Sequence, residues 1–359
     1  MNSKIKWKVL LPVVLVAIII HFFTSNAVQV ETYYSTGIYP FIASSLQYLF
    51  GWLPFSIGDI LYGLAACWII FKIYGYILAL IKGNISGISF KIGVIKTLQL
   101  ILLIYIIFNL FWGINYNRVG IAGQLGLQLK KYSTQELLVI DSLLLLKVNE
   151  SKKTLLSNPK QIANTGQIKQ QTIAAYQNIA KKYPFLTYQP TSLKPSMWGW
   201  LGNYAGFTGY YNPFTGEAQV NTTVPQFLQP FTFCHETAHQ LGYAKENEAN
   251  FVGYLTAASS ADTTFRYSVY LDLFLYAQRN LFRTDSTAVK YFAKKLNPAI
   301  RKDLNDLRKF NERHRNPIEP VIAWIYGNYL KNNQQPSGVQ SYDEVLGLLI
   351  AYYKKFGSI

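Results

Sequence analysis

Apolar positions crowd toward one end of the chain. Residues 7–23, 60–81 and 92–112 form long apolar runs, and nothing after Asn115 has comparable length. Each run is close to the roughly 20 residues that a helix rising about 1.5 Å per residue needs to cross a hydrocarbon layer. The pattern predicts three amino-terminal transmembrane helices within residues 1–117, and a separate extracytoplasmic domain over residues 118–359. The first run has a second reading, as a cleaved signal peptide, because Lys4, Lys6 and Lys8 precede its apolar part and the small residues Ser25 and Ala27 follow. Two later spans favour an anchor. Lys72 stands inside the second run, where its ammonium is expected to reach toward the cytoplasmic headgroups.

Short cytoplasmic loops collect Lys and Arg. The amino-terminal tail holds lysines, the loop between the second and third runs holds Lys82 and Lys91, and residues 24–59 contain neither Lys nor Arg. That asymmetry places the tail and the second loop inside, the first loop outside, and everything after the third span outside.

Beyond Asn115 the periodicity becomes mainly helical. Ser133 and Glu136 form a capping-box pattern ahead of apolar residues at helical spacing, and a second helix is expected over residues 168–182, with polar, turn-rich sequence between the two. Residues 188–230 change texture to Gly, aromatic and Thr residues and read as β-rich, with a last strand at 216–221. Further helices are expected near 248–258, 265–282, 288–313 and 321–331, and a capping box at Ser341 and Glu344 opens a final one. The fold class is α+β: a mostly helical domain with a small sheet just before residues 231–251.

Composition sharpens this picture in two ways. Half of the 359 residues are apolar and only 14% are charged, which suits a membrane protein. The formal charge of +16 raises nucleic acid as a partner, but the outer lysines are scattered among acids with no interleaved aromatic patch, so no nucleic acid is expected. A lipid bilayer is. Cys67 falls in an expected span and Cys234 beside a histidine pair, so they do not pair and the outer domain folds without disulfides.

The chemistry lies in FTFCHETAHQLGYAKENEANF, residues 231–251. His235 and His239 stand four apart, so on a helix both imidazoles leave one face within reach of a single tetrahedral ion. Glu236 beside the first completes an HExxH arrangement, in which the glutamate serves as general base on a metal-activated water. Gly242 supplies a left-handed helix stop. With only four histidines in the chain the pattern is specific. His21 and His314 have no such company.

A catalytic zinc takes three protein ligands, and Glu246 and Glu248 compete for the third position. Glu246 is favoured because Glu246, Ala249 and Asn250 can share one helix face, with Asn250 placed to hydrogen-bond a ligating histidine. Glu248 would point about 160° away.

The stretch HETAHQLGYAKENEANF resembles the zincin metallopeptidases, in particular those whose third ligand is a glutamate. The resemblance implies zinc at His235, His239 and Glu246, with Glu236 as base. It also implies that NPFTGEAQVN matches the edge strand that lines the cleft and pairs with an extended peptide. The interval from His239 to Glu246 is shorter than in most glutamate-ligand zincins and resembles the glycine turn of the metzincins. Tyr210, Tyr211, Tyr243, Tyr329 and Tyr342 are candidates for steadying an oxyanion. With its three spans, the whole chain resembles an uncharacterised family of bacterial membrane proteins with a zincin-like domain. The function expected is a zinc peptidase of the bacterial inner membrane, facing the periplasm or exterior and cutting an envelope or extracellular peptide or protein. A catalytically inactive zincin-fold sensor or interaction protein is the alternative.

Overall fold

A computed structural model describes residues 7–83, 86–158 and 163–359; Lys4 and Lys6 of the tail, and residues 159–162 of the turn-rich stretch, lie outside the described residues. The first part of the chain forms α1 (Trp7–Thr24), α2 (Ala27–Gln29), a π-helical stretch (Val30–Ile38), α3 (Tyr39–Phe50), α4 (Ile57–Ile81), α5 (Gly87–Phe111) and α6 (Gly120–Gln124). Then come α7 (Thr134–Ser157), α8 (Thr165–Ala180), β1 (Leu193–Pro195), α9 (Gly199–Ala205), β2 (Gly209–Asn212) and β3 (Glu217–Val220). The last part comprises α10 (Gln229–Gln240), α11 (Glu246–Ala258), α12 (Thr263–Phe282), α13 (Ser286–Lys295), α14 (Pro298–His314), α15 (Glu319–Asn332) and α16 (Val345–Phe356). The described residues are mostly helical with one small sheet, an α+β architecture.

Two helices are long and apolar enough to cross a membrane, Ile57–Ile81 and Phe90–Phe111. At the amino terminus, Leu11–Thr24 and Ala27–Phe50 form a pair bent by 99°, so the spans number two, or three if that pair counts as one. Lys72 turns its ammonium over the Trp68 ring, 5.7 Å from the centroid.

Local signals account for most boundaries. Ser133 and Glu136 make both bonds of a capping box, and α7 then continues to Ser157, because the polar run after Val148 is rich in Lys, Leu and Glu that favour helix. In place of the helix expected over 288–313 there are two. Pro298 cannot continue the first, and Asn297 accepts from Ala299 N to cap the second. The capping box expected at Ser341 and Glu344 does not form: Gly338–Glu344 is a 3-10 turn, and Glu344 instead accepts from Ser337 Oγ. The β-rich stretch also contains the short helix α9, stopped by Gly206 at φ +79°.

The sheet has three strands in the order β1-β3-β2, with β1 parallel and β2 antiparallel to β3. The strand expected at 216–221 is therefore central. β1 and β2, not β3, form the edges, since Leu193–Pro195 adds a parallel neighbour that its short, proline-ended sequence does not announce.

A large core joins α7, α8, α10, α11, α12 and α16. A second cluster ties Tyr34, Tyr39 and Ala43 to Ile106 and Trp112 of the α5 region and to Tyr211 and Ala244. Residues 27–50, read from sequence as part of an outer loop, are thus helical and packed.

Their role is visible at the end of α10, where every residue is buried and the last carbonyls need partners. Trp112 Nε1 donates to His239 O at 3.0 Å and Tyr39 Oη to Gln240 O at 2.8 Å. Arg118 donates to Leu241 O at 3.3 Å and Gly242 O at 3.2 Å, while Glu31 holds its guanidinium at 2.7 and 3.0 Å. The positive group at a helix carboxyl end also complements the helix dipole.

Arg118→Ala takes the guanidinium from the Leu241 and Gly242 carbonyls and leaves the part-buried Glu31 carboxylate with only Gln124 and Gly120 as donors, and should cost about 3 kcal/mol. Thermal unfolding of the purified protein in detergent tests this; an unchanged Tm would refute it. A second expectation concerns Asp141 on α7, fully buried, with Gln278 of α12 donating to one oxygen. Burial pushes its carboxyl up to about 7. The unfolded chain loses that proton near the usual value of about 3.9, so the native state binds more protons in between and stability falls as pH rises from about 4 to about 7. Asp141→Asn cannot ionise, so its Tm advantage should be largest near pH 8 and shrink toward pH 4. A constant difference across that range would contradict the assignment.

Candidate metal centre

α10 and α11 meet through a turn at Gly242, whose φ of +82° suits glycine. A Cβ there would lie 2.9 Å from the Tyr39 ring and 3.1 Å from Asn115 Oδ1, so close packing also excludes a side chain. The tight turn returns the chain so that the first residue of α11, Glu246, faces the last turns of α10.

His235 Nε2 and His239 Nε2 stand 3.1 Å apart, and Glu246 Oε2 lies 3.3 Å from the first and 3.4 Å from the second. All three residues are buried. Around a tetrahedral ion with bonds of about 2.0–2.1 Å, ligand atoms stand about 3.4 Å apart. The three donors therefore fit a metal ion, and two imidazoles with one carboxylate suit a divalent transition metal.

Neighbouring groups fix these side chains. His239 Nδ1 pairs with Tyr243 O at 2.8 Å, which leaves Nε2 toward the cluster. Tyr326 Oη donates to Glu246 Oε1 at 2.7 Å and lies 3.1 Å from Tyr342 Oη. The Tyr342 ring stacks over His235, with centroids 6.1 Å apart. Gln335 accepts from Glu246 N at 2.9 Å and so caps the start of α11. Burial would raise the Glu246 carboxyl, but His239 and His235 outweigh it and hold it well below the usual carboxylate range. Burial would lower His239, and Glu246 reverses this, pushing the imidazole up to about 8.

Glu236 lies beside the cluster, buried, with no hydrogen-bond partner for Oε2 among the described residues. Burial, partly offset by His235 and His239, pushes its carboxyl up to about 7. Gly209 at the start of edge strand β2 makes room for it: a Cβ there would stand 2.5 Å from Glu236 Oε1 and 2.9 Å from Gln219 O. Both histidines, Glu236 and Glu246 open into one cavity of about 520 Å³.

Other expectations fare differently. Glu248 is buried away from the cluster, its carboxylate against Gly120 and 3.9 Å from Lys245 Nζ. Asn250 does not bond a histidine; α11 carries it to the 3-10 turn, where Nδ2 donates to Tyr342 O at 3.2 Å. Tyr210, Tyr211, Tyr329 and Tyr342 line the cavity, whereas Tyr243 Oη donates to Gln124. Tyr326 was not singled out in the sequence, where nothing distinguishes it among 27 tyrosines. His314 packs between Phe310 and Tyr204, and His21 sits near the end of α1, neither in the cluster.

Fold and site together define a membrane-associated α+β protein with a buried His-His-Glu cluster beside a glutamate. The chain belongs to a family described as a protein of unknown function, DUF3810, whose pattern matches residues 34–350. No curated protein and no solved structure matches it.

Elemental analysis of the purified full-length protein should find close to one divalent metal ion per chain. His235→Ala and Glu246→Ala should each lose it, and Glu248→Gln should retain it. Retention in Glu246→Ala with loss in Glu248→Gln would reverse the ligand assignment.

Proposed function

We propose that this protein is a zinc peptidase of the zincin type, anchored in the bacterial inner membrane with its site facing the periplasm or exterior. The observation that supports this reading best is the convergence of His235, His239 and Glu246 at metal-ligand spacing, with Glu236 opening into the same cavity. Zinc, when bound, would polarise a scissile carbonyl and make a neighbouring water more acidic.

The chain's own residues would do the rest. Glu236 takes a proton from the attacking water and delivers it to the leaving amine, a task favoured by a carboxyl whose pKa lies near neutrality. Gly209 leaves Glu236 its place, and β2 offers a strand edge beside it along which an extended peptide can lie. Tyr326 and Gln335 hold Glu246, and Tyr243 holds His239, so the donor set is preorganised by hydrogen bonds from three separate segments.

Glu236→Gln should keep the metal while lowering kcat/KM on a peptide mixture by about 10³-fold. Gly209→Ala, which pushes Glu236 out of position, should lower it by about 10²-fold. Mass-spectrometric detection of products decides the matter, and hydrolysis by Glu236→Gln at the unsubstituted rate would remove Glu236 from the mechanism.

A further inference from the structure

The cavity that holds the cluster is walled on one side by the helices suited to cross the membrane. Ile101, Ile104, Tyr105 and Phe108 of α5, and Tyr62 of α4, line it together with Trp112 and the metal-ligand set. Ile101 lies about 15 Å along the helix axis from Phe111, at about 1.5 Å per residue. The wall therefore runs from the cluster to roughly the middle of a span. Ile101, Ile104 and Tyr105 are exposed along that length.

Two further elements beside this opening carry exposed apolar side chains. Trp198 of the sequence before α9 packs on α4 at Gly63, and its indole donates to Asp59 O at 3.0 Å. From there α9 presents exposed Trp200 and Leu201, and α15 presents exposed Trp324 and Ile325. Tryptophan-rich apolar faces of this kind settle at the boundary between headgroups and acyl chains. Because α15 also supplies Tyr326 and Tyr329 to the cavity, the lipid-seeking face and the cavity wall belong to one helix.

We propose that the substrate is a peptide carrying one long hydrocarbon chain, with the chain lying along α5 and the peptide bond beside His235, His239 and Glu246. This rests on the peptidase reading and names its substrate class. The lining favours a hydrocarbon chain: Ile101, Ile104, Tyr105 and Phe108 make an apolar strip on α5 that leads to the cluster, and β2 offers an extended peptide its free edge beside Glu236.

The test uses the full-length Glu236→Gln protein in phosphatidylglycerol-containing vesicles and a peptide bearing a palmitoyl group with a diazirine in the chain. Photolabelling, mapped by mass spectrometry, should fall on residues 101–108 and be displaced at least tenfold better by the palmitoyl peptide than by the same peptide without its chain. Ile104→Trp and, separately, Ile101→Phe should each reduce the labelling several-fold. With Glu236 restored, the palmitoyl peptide should be cut at least tenfold more efficiently than the bare one, and Ile104→Trp should bring that ratio close to one. Labelling elsewhere, or displacement by a transmembrane helix as strong as by the palmitoyl peptide, overturns the proposal whatever is cut. Labelling on residues 101–108 without any cleavage would leave the chain-binding site standing and remove the peptidase reading on which the substrate class rests.

Discussion

The carbonyls at the end of a wholly buried helix must find donors, and in this protein they find them in the chain's membrane-linked part. His239 is among the residues whose backbone is held this way, by the Trp112 indole just after α5. Tyr39 and Arg118 take the next carbonyls, and Glu31 holds Arg118 in turn. The position of His239 thus depends on three side chains contributed from outside the mainly helical core. Trp112 also contacts the His239 ring, with centroids 5.9 Å apart, so both the backbone and the imidazole meet the same residue.

A second constraint is charge. A buried carboxylate among aromatic groups is expensive unless every lone pair is used. Glu246 Oε1 accepts from the Tyr326 hydroxyl, whereas Oε2, 3.3 and 3.4 Å from the two imidazole nitrogens, has no hydrogen-bond partner among the described residues and is the oxygen a metal ion would take. The tyrosines around it extend outward: Tyr326 to Tyr342, and Tyr116 to Tyr329 at 3.1 Å. This network explains why Asn250, which shares a helix with Glu246, bonds the Tyr342 backbone and leaves the histidines alone. It steadies the stacking partner of His235 instead.

What sequence made legible was local. Two histidines four apart need only helical periodicity to share a face, and Gly242 announces the reversal that brings Glu246 back. The capping box at Ser133 and the strand near Glu217 are equally short-range. Hidden were the contacts made across long stretches of chain. No residue pattern near Tyr39 points to Gln240, and none near Tyr326 points to Glu246. The apolar run of α5 reads simply as a span, because a face that lines a cavity and a face that meets lipid have the same composition. β1 was missed for a related reason: three residues ending in proline become a strand only when β3 is already alongside.

The start of α4 carries one more consequence. Glu217 of the central strand accepts from the first backbone amides of α4, Ile57 N at 3.2 Å and Gly58 N at 2.6 Å, and its carboxylate is paired with the buried Lys194 of β1. Lys194 also donates to Phe50 O at 2.7 Å and Phe55 O at 2.8 Å on the approach to that helix. A spanning helix tilts to match the hydrocarbon layer around it. Here its tip is bolted to the strand that pairs with β2, and β2 fixes the clearance around Glu236. The end of the apolar helix and the clearance around Glu236 thereby share one support, reached through two hydrogen bonds and a strand pair.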